Sequence, residues 1–250
     1  MIYRIGSIIL CLLLSSVSVN AQVKQTEQLE QIWTAYFNQT RLSKKWGVWM
    51  DVNLRTKDEF AKDLSIFIVR PGVTYYLNDQ TKITAGYAFI NIFPGDNHQN
   101  ISRPEHRLWQ QIQWHTNYPK LKLMQWMRLE ERFRRKVKSN DELAEGYNFN
   151  WRVRYNILSQ FPLSRKRFEP GTFSFVLSNE VHIAFGKEVV YNYFDQNRFF
   201  AGFNYHVNKQ DAFQFGYLNV FQQLGAGNRY RSINAARVFY FHNLDLRKKH

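Results

Sequence analysis

The sequence predicts an all-β protein, a closed transmembrane antiparallel β-barrel of about 10–12 strands. Three observations lead there. The first is a two-residue beat. In Trp46–Arg55, Trp46, Val48, Met50, Val52 and Leu54 alternate with Gly47, Trp49, Asp51, Asn53 and Arg55. In 148–157, Phe149, Trp151, Val153, Tyr155 and Ile157 alternate with Asn148, Asn150, Arg152, Arg154 and Asn156. Successive side chains on a strand point to opposite faces, so each segment has one apolar and one polar face. The second is composition: 17% aromatic residues in a chain whose mean hydropathy is only −0.48. That pairing suits strands that meet lipid on one face and water on the other. The third is the start of the chain. Arg4, the apolar run Ile8–Leu14 and Val19-Asn20-Ala21 read as a signal peptide over 1–21, cleaved before Gln22.

Residues 22–30 read as a short polar N-terminal segment, a flexible start or a turn of helix, and 31–250 as the barrel. The beat, broken by turn residues, marks eleven candidate strands. They run over 32–42, 46–56, 64–77, 81–93, 105–117, 120–134, 147–158, 172–185, 197–208, 212–223 and 230–242. Ser43-Lys44-Lys45, Asn78-Asp79-Gln80, Tyr118-Pro119 and Lys209-Gln210-Asp211 are short connections. They alternate with longer ones over 94–104, 135–146 and 186–196, as in outer-membrane barrels. The basic stretch 159–171 is long where a short turn is expected. Bacterial single-chain barrels have even strand numbers, so eleven implies a missed strand or a loop read as one. Pro71 cannot donate to a ladder and predicts a bulge or local break at Pro71-Gly72.

Charge and cysteine narrow the function classes. The formal net charge is +14. For an exported chain this points to anionic lipid or lipopolysaccharide phosphates as partners, not nucleic acid. Cys11 is the only cysteine and lies in the signal. The mature chain therefore has no thiol for a disulfide, a metal or nucleophilic catalysis.

Ten or more strands with apolar interiors would enclose a large greasy cavity. Aromatics toward the ends of the apolar faces (Trp46, Trp114, Tyr155, Tyr205, Tyr217) suit membrane girdles. The apolar face is therefore expected outside, with a soluble lipocalin-like barrel as the alternative. The lumen then holds a charged network of Arg70, Arg107, Arg128, Glu130, Arg132, Arg152, Arg154, Glu180 and Arg198, with Asp51, Arg55 and Arg237 on the same faces. Glu130, between Arg128 and Arg132, can bridge either, and Glu180 is a second anchor. Arginine exceeds acid, so the surplus needs water, anions or loop carboxylates.

Other constellations are weaker. Ser178, Glu180 and His182 share a strand face and suggest a lipid hydrolase. Residues two apart on a strand are roughly 7 Å apart at Cα, however, which strains a relay. His106, His115, His182 and His206 lie on different strands without a ligand-pair spacing. Gly225-Ala226-Gly227 reads as a loop tip, and 96–100 matches no calcium-loop pattern.

Several short motifs occur in a telling order. Gln111 and Gln113 precede Arg128-Leu129-Glu130-Glu131-Arg132-Phe133. Arg152-Val153-Arg154-Tyr155, Asn179-Glu180-Val181, Asp195-Gln196-Asn197-Arg198 and Gly216-Tyr217 follow. In these the chain resembles domain-of-unknown-function family 2490 (DUF2490), predicted outer-membrane barrels common in Bacteroidetes. The resemblance implies the fold and a Gram-negative outer-membrane location, and assigns no activity. The sequence reading is thus a non-enzymatic outer-membrane barrel without cofactor or metal. Its lumen is narrow or plugged and binds or passes small anions. Its partners are outer-membrane lipids, lipopolysaccharide and, during insertion, the barrel-assembly machinery. A lipid-modifying hydrolase and a soluble exported barrel are the alternatives.

Overall fold

The computed structural model describes residues 24–247, so the predicted signal peptide and Cys11 lie outside the described residues. Within them, eleven strands form a closed barrel. They are β1 (Gln25–Arg41), β2 (Trp46–Lys57), β3 (Asp63–Tyr76), β4 (Thr81–Ile92), β5 (Arg103–Tyr118) and β6 (Leu121–Val137). The series continues with β7 (Leu143–Pro162), β8 (Thr172–Phe185), β9 (Phe194–His206), β10 (Asp211–Gln223) and β11 (Arg229–Asp245). Each strand pairs antiparallel with its sequence neighbours, and each predicted strand has its counterpart.

Closure resolves the odd strand number. β1 and β11 run parallel, in register from Gln25↔Arg229 to Arg41↔Asp245. Among the described residues no strand is missing and none is a loop: the even-number expectation assumed an all-antiparallel ladder. The same pairing corrects the N-terminal boundary. Residues 25–30, expected to lie outside the barrel, form the first part of β1, at the end that carries the longer connections, because β11 offers them an open ladder edge.

At Pro71 the strand breaks its pairing locally. The β3–β4 register is the same on both sides of the proline, at Val69↔Phe89 and Gly72↔Gly86, with no pair at Arg70 or Pro71. Gly72 and Gly86 face each other there. A Cβ on Gly86 would lie 2.8 Å from Gly72 Cα and against the Pro71 carbonyl, while the Trp109 indole fills the space above both glycines. Across the barrel, Gly202 pairs with Gly216, and the Phe200 ring lies against Gly202. An aromatic ring laid over paired glycines restores the packing that the missing side chains give up, where the strands must approach closely.

The outer face is apolar. Val48, Leu54, Val73, Leu108, Met127, Ile157, Phe199, Phe215, Tyr217 and Val238 are among its exposed side chains. Aromatic pairs ring the end that carries the short turns: Trp46–Tyr75, Phe173–Tyr205 and Phe213–Tyr240, with centroids 5.0, 4.7 and 4.8 Å apart. Tyr155 and Tyr217, expected near strand ends, stand instead mid-strand. There their hydroxyls donate to Gln125 and Asn234 on neighbouring strands, which gives each phenol a partner on an otherwise apolar surface.

Candidate functional site in the barrel lumen

The inner face follows from the strand period. On β7 the inward parity is Asn150, Arg152, Arg154 and Asn156, all buried, while Tyr155 and Ile157 on the other parity are exposed. The same rule turns Arg128, Glu130 and Arg132 of β6 inward. It does so for Glu105 and Arg107 of β5 and for Glu180 and His182 of β8. Arg70 of β3 and Arg198 of β9 face the same cavity. Every arginine and glutamate singled out in the sequence as a network residue is therefore inside the barrel.

The pairing is more specific than the sequence suggested. Arg152 Nε donates to Glu130 at 2.9 Å, and its Nη1 donates to Asp195 at 2.8 Å. Arg154 donates to Glu130 at 2.7 Å and to Glu180 at 2.6 Å. Arg107 and Arg132 both donate to Glu105, each at 2.7 Å. Glu130 thus bonds across the ladder to β7, not to its neighbours on β6. Arg128 stays 3.9 Å away, and Arg132 turns to Glu105. The ladder brings Arg152 directly opposite Glu130, and cross-strand neighbours lie about 5 Å apart; Arg128 and Arg132 are meanwhile held by Gln111 and Glu105.

Glu105 and Asp195 were not among the expected network residues, yet each ties two arginines together. Glu105 sits two residues into β5, beside Pro104. Asp195 sits one residue into β9, where a register shift between His182 and Ile183 turns it inward. Glu105 is the first residue of its expected strand and Asp195 falls in an expected loop, and the bulge that redirects Asp195 leaves no pattern.

Arginine remains in excess. Arg55, Arg70, Arg107, Arg128, Arg132, Arg152, Arg154, Arg198 and Arg237 face Asp51, Glu105, Glu130, Glu180 and Asp195 in the body of the barrel. Four of these cations, Arg55, Arg128, Arg198 and Arg237, have no close carboxylate; Arg128 donates to Gln111 at 2.7 Å. Arg55 lies over the Trp33 ring with its guanidinium carbon 3.5 Å from the centroid. Arg70, Arg107, Arg154 and Arg198 line the same cavity. Arg237 stacks on Phe200 and Phe239 at 4.0 and 4.1 Å and donates to Gln214. Arg198 donates to Gln196 at 3.0 Å and comes no nearer than 3.8 Å to Glu180. Buried Arg55 Nε, Arg128 Nη1 and Arg237 Nε have no hydrogen-bond partner.

These groups surround a cavity of about 580 Å³. It begins at the mouth formed by the longer connections, beside Lys57, Asp96 and Arg231, and reaches Gln39, Gln113, Leu158 and Phe241. Nearer the short turns, Thr74, Thr84, Ser174 and Asn204 are also buried. The connection after β4 folds over the mouth, where Arg231 of β11 donates to Asp96 at 2.7 Å and to Glu27 at 2.9 Å.

The inward parity is polar on β5–β8 only in part of the circumference. On β1, β10 and β11 it is apolar: Trp33, Leu218, Val220, Ile233, Ala235 and Phe239 pack together inside. A second inner cluster joins Trp49, Ile68, Ala88, Ile90 and Trp109. This corrects the expectation that the apolar faces all look outward. On β10 both parities are apolar, Phe215 and Tyr217 outside and Leu218 and Val220 inside, so the segment carries no alternation of hydropathy to read.

The other constellations separate. His182 Nε2 lies 2.7 Å from Glu180 Oε1, and no hydrogen bond joins Ser178 to His182 among the described residues. His106 is outside the barrel against Tyr87. His115 contacts Gln113, and His206 contacts Gln160 and Ser174. Asp96 is engaged by Arg231.

A family model described as protein of unknown function (DUF2490) matches residues 30–231, from β1 to the latch arginine of β11. The chain belongs to the DUF2490 family. No curated protein matches it. Among solved structures, one titled "NanC porin structure in rhombohedral crystal form" is similar to this DUF2490 chain at 13% identity. The match covers 86% of this chain and 100% of that one, with a TM-score of 0.46.

Proposed function

We propose that this DUF2490 protein is a non-enzymatic barrel of a Gram-negative outer membrane that binds small anions in an arginine-rich lumen. The band of exposed apolar side chains around the barrel supports the membrane location, since a soluble monomer rarely exposes so continuous a patch. The excess of guanidinium over carboxylate supports the anion. The single observation that carries the reading is Arg55: a cation held on Trp33, ringed by other arginines and facing a cavity without a carboxylate of its own. An anion there neutralises repulsion among Arg55, Arg70 and Arg198 and fills donors that are otherwise unpaired.

The separation of Ser178 from His182 leaves the hydrolase reading without a nucleophile–base pair. The test is calorimetric titration of the purified barrel with sulfate and with acetate. Saturable binding that weakens about tenfold in Arg55→Gln, and not in the rim variant Arg247→Gln, is expected. Equal weakening in both would assign the binding to general surface charge. Envelope fractionation tests the location, with a heat-modifiable band expected in the outer-membrane fraction and a soluble periplasmic band contradicting it.

A further inference from the structure

The cavity lining joins two unlike walls on one arc of the barrel, and their juxtaposition identifies a ligand class. Arg198 of β9 and Arg55 of β2 form the first, both within cation–π distance of Trp33, at 5.2 and 3.5 Å from its ring centroid. Between these two strands lies the second: Leu218, Val220, Ile233 and Phe239, buried side chains of β10 and β11 that also line the cavity, with Val220 the direct ladder partner of Arg198. Trp33 of β1 belongs to both walls, since it packs in the apolar cluster with those four residues and pairs with Arg55 on the ladder. An inorganic anion would satisfy the guanidinium wall and leave the apolar wall against water. A neutral apolar molecule would do the reverse and leave the Arg55 and Arg237 nitrogens unpaired.

We infer that the lumen is a site for an amphipathic organic anion, a carboxylate on a medium-length acyl chain. The carboxylate sits against Arg55 and Arg198, and the chain runs along Leu218 and Val220. This rests on the anion-binding reading above and narrows it. The volume fits: about 580 Å³ falls within the usual range of roughly 300–1,000 Å³ for small-molecule sites, which are mostly apolar with a few placed polar groups. The arginines suit the head. Guanidinium is more weakly hydrated than ammonium and pairs with a carboxylate in a fork, so it keeps its hold in a partly dry site. The head position is open because the nearby carboxylates are already engaged: Glu130 and Asp195 accept from Arg152 of β7, and Glu130 and Glu180 accept from Arg154 of the same strand, leaving Arg198 no nearer than 3.8 Å to Glu180.

The test uses the full barrel in zwitterionic phospholipid nanodiscs, titrated calorimetrically with acetate, octanoate and octan-1-ol, with empty nanodiscs subtracted for partitioning. Each CH₂ buried on the apolar wall contributes about fourfold in affinity. Octanoate is therefore expected to bind roughly a hundredfold or more tighter than acetate, even if only part of its chain is covered. Arg55→Gln should weaken octanoate about tenfold. Leu218→Asn should weaken octanoate and leave acetate unchanged. Val220→Asn reads the same wall should Leu218→Asn fail to give a heat-modifiable barrel. Octanoate binding no tighter than acetate overturns this inference and leaves the anion reading standing. Octan-1-ol binding as tightly as octanoate also overturns it. Absence of binding by acetate, sulfate and octanoate alike overturns the anion reading itself.

Discussion

Arg152 and Glu130 stand opposite each other on the β7–β6 ladder and are bonded inside the barrel, with Arg152 Nε 2.9 Å from the carboxylate. The same carboxylate accepts from Arg154, so one buried acid on β6 holds two cations on β7. Removing it leaves both without their shared partner. Glu130→Gln is expected to destabilise the barrel by about 3–5 kcal/mol, the cost of breaking a buried pair. The measurement is urea unfolding from lipid vesicles. Asp79→Asn, which breaks an exposed pair with Arg41 at a turn, should leave the midpoint unchanged.

The glycine pair under Trp109 is a packing requirement. Gly86→Ala would push a methyl into Gly72 and the Pro71 carbonyl and is expected to cost about 1–3 kcal/mol or more. Gly225→Ala, in a loop with open space around it, should be neutral. Refolding yield and the temperature of the gel-mobility shift read both.

The outer face distinguishes a lipid-facing from a water-facing barrel. Met127 is half exposed on β6, pointing away from the lumen. In a bilayer Met127→Arg should cost about 2–4 kcal/mol near the midplane. On a water-facing surface it would change stability by less than about 0.5 kcal/mol. Unfolding from vesicles separates the two outcomes.

The strap over the mouth carries a pH signature. The hydrogen bonds and charge of Arg231 hold the Asp96 carboxyl below its usual range, against the opposing effect of partial burial. A carboxyl whose folded-state value is depressed stabilises above its unfolded value and loses that contribution as pH falls through the folded one. The strap should therefore stay closed from neutral pH down to about 4, the ordinary carboxylate value, and open only below it. Asp96→Asn should open it at all pH values. Amide exchange over 97–101 reports the opening.

Much of this was written in the sequence, and its limits have physical causes. The beat placed β2, β6 and β7, because their two faces differ in polarity. It therefore also placed Arg128, Glu130, Arg152 and Arg154 on one side. The apolar inner wall was not legible, since Leu218 and Val220 alternate with Phe215 and Tyr217, and a period of two is invisible when both faces are apolar. Nor was the pairing of Glu105 with Arg132, which are joined only by the β5–β6 register. Closure through a parallel β1–β11 seam depends on the whole barrel, and no local signal encodes it.

The central claim is that the lumen arginines hold an anion at Arg55. Crystals of the barrel soaked in bromide and measured at the bromine absorption edge test it most directly. The account predicts an anomalous peak inside the barrel between Arg55 and Arg198, absent in Arg55→Gln. Bromide bound only to lysines and arginines at the rims, with the lumen empty of anomalous signal, would contradict it.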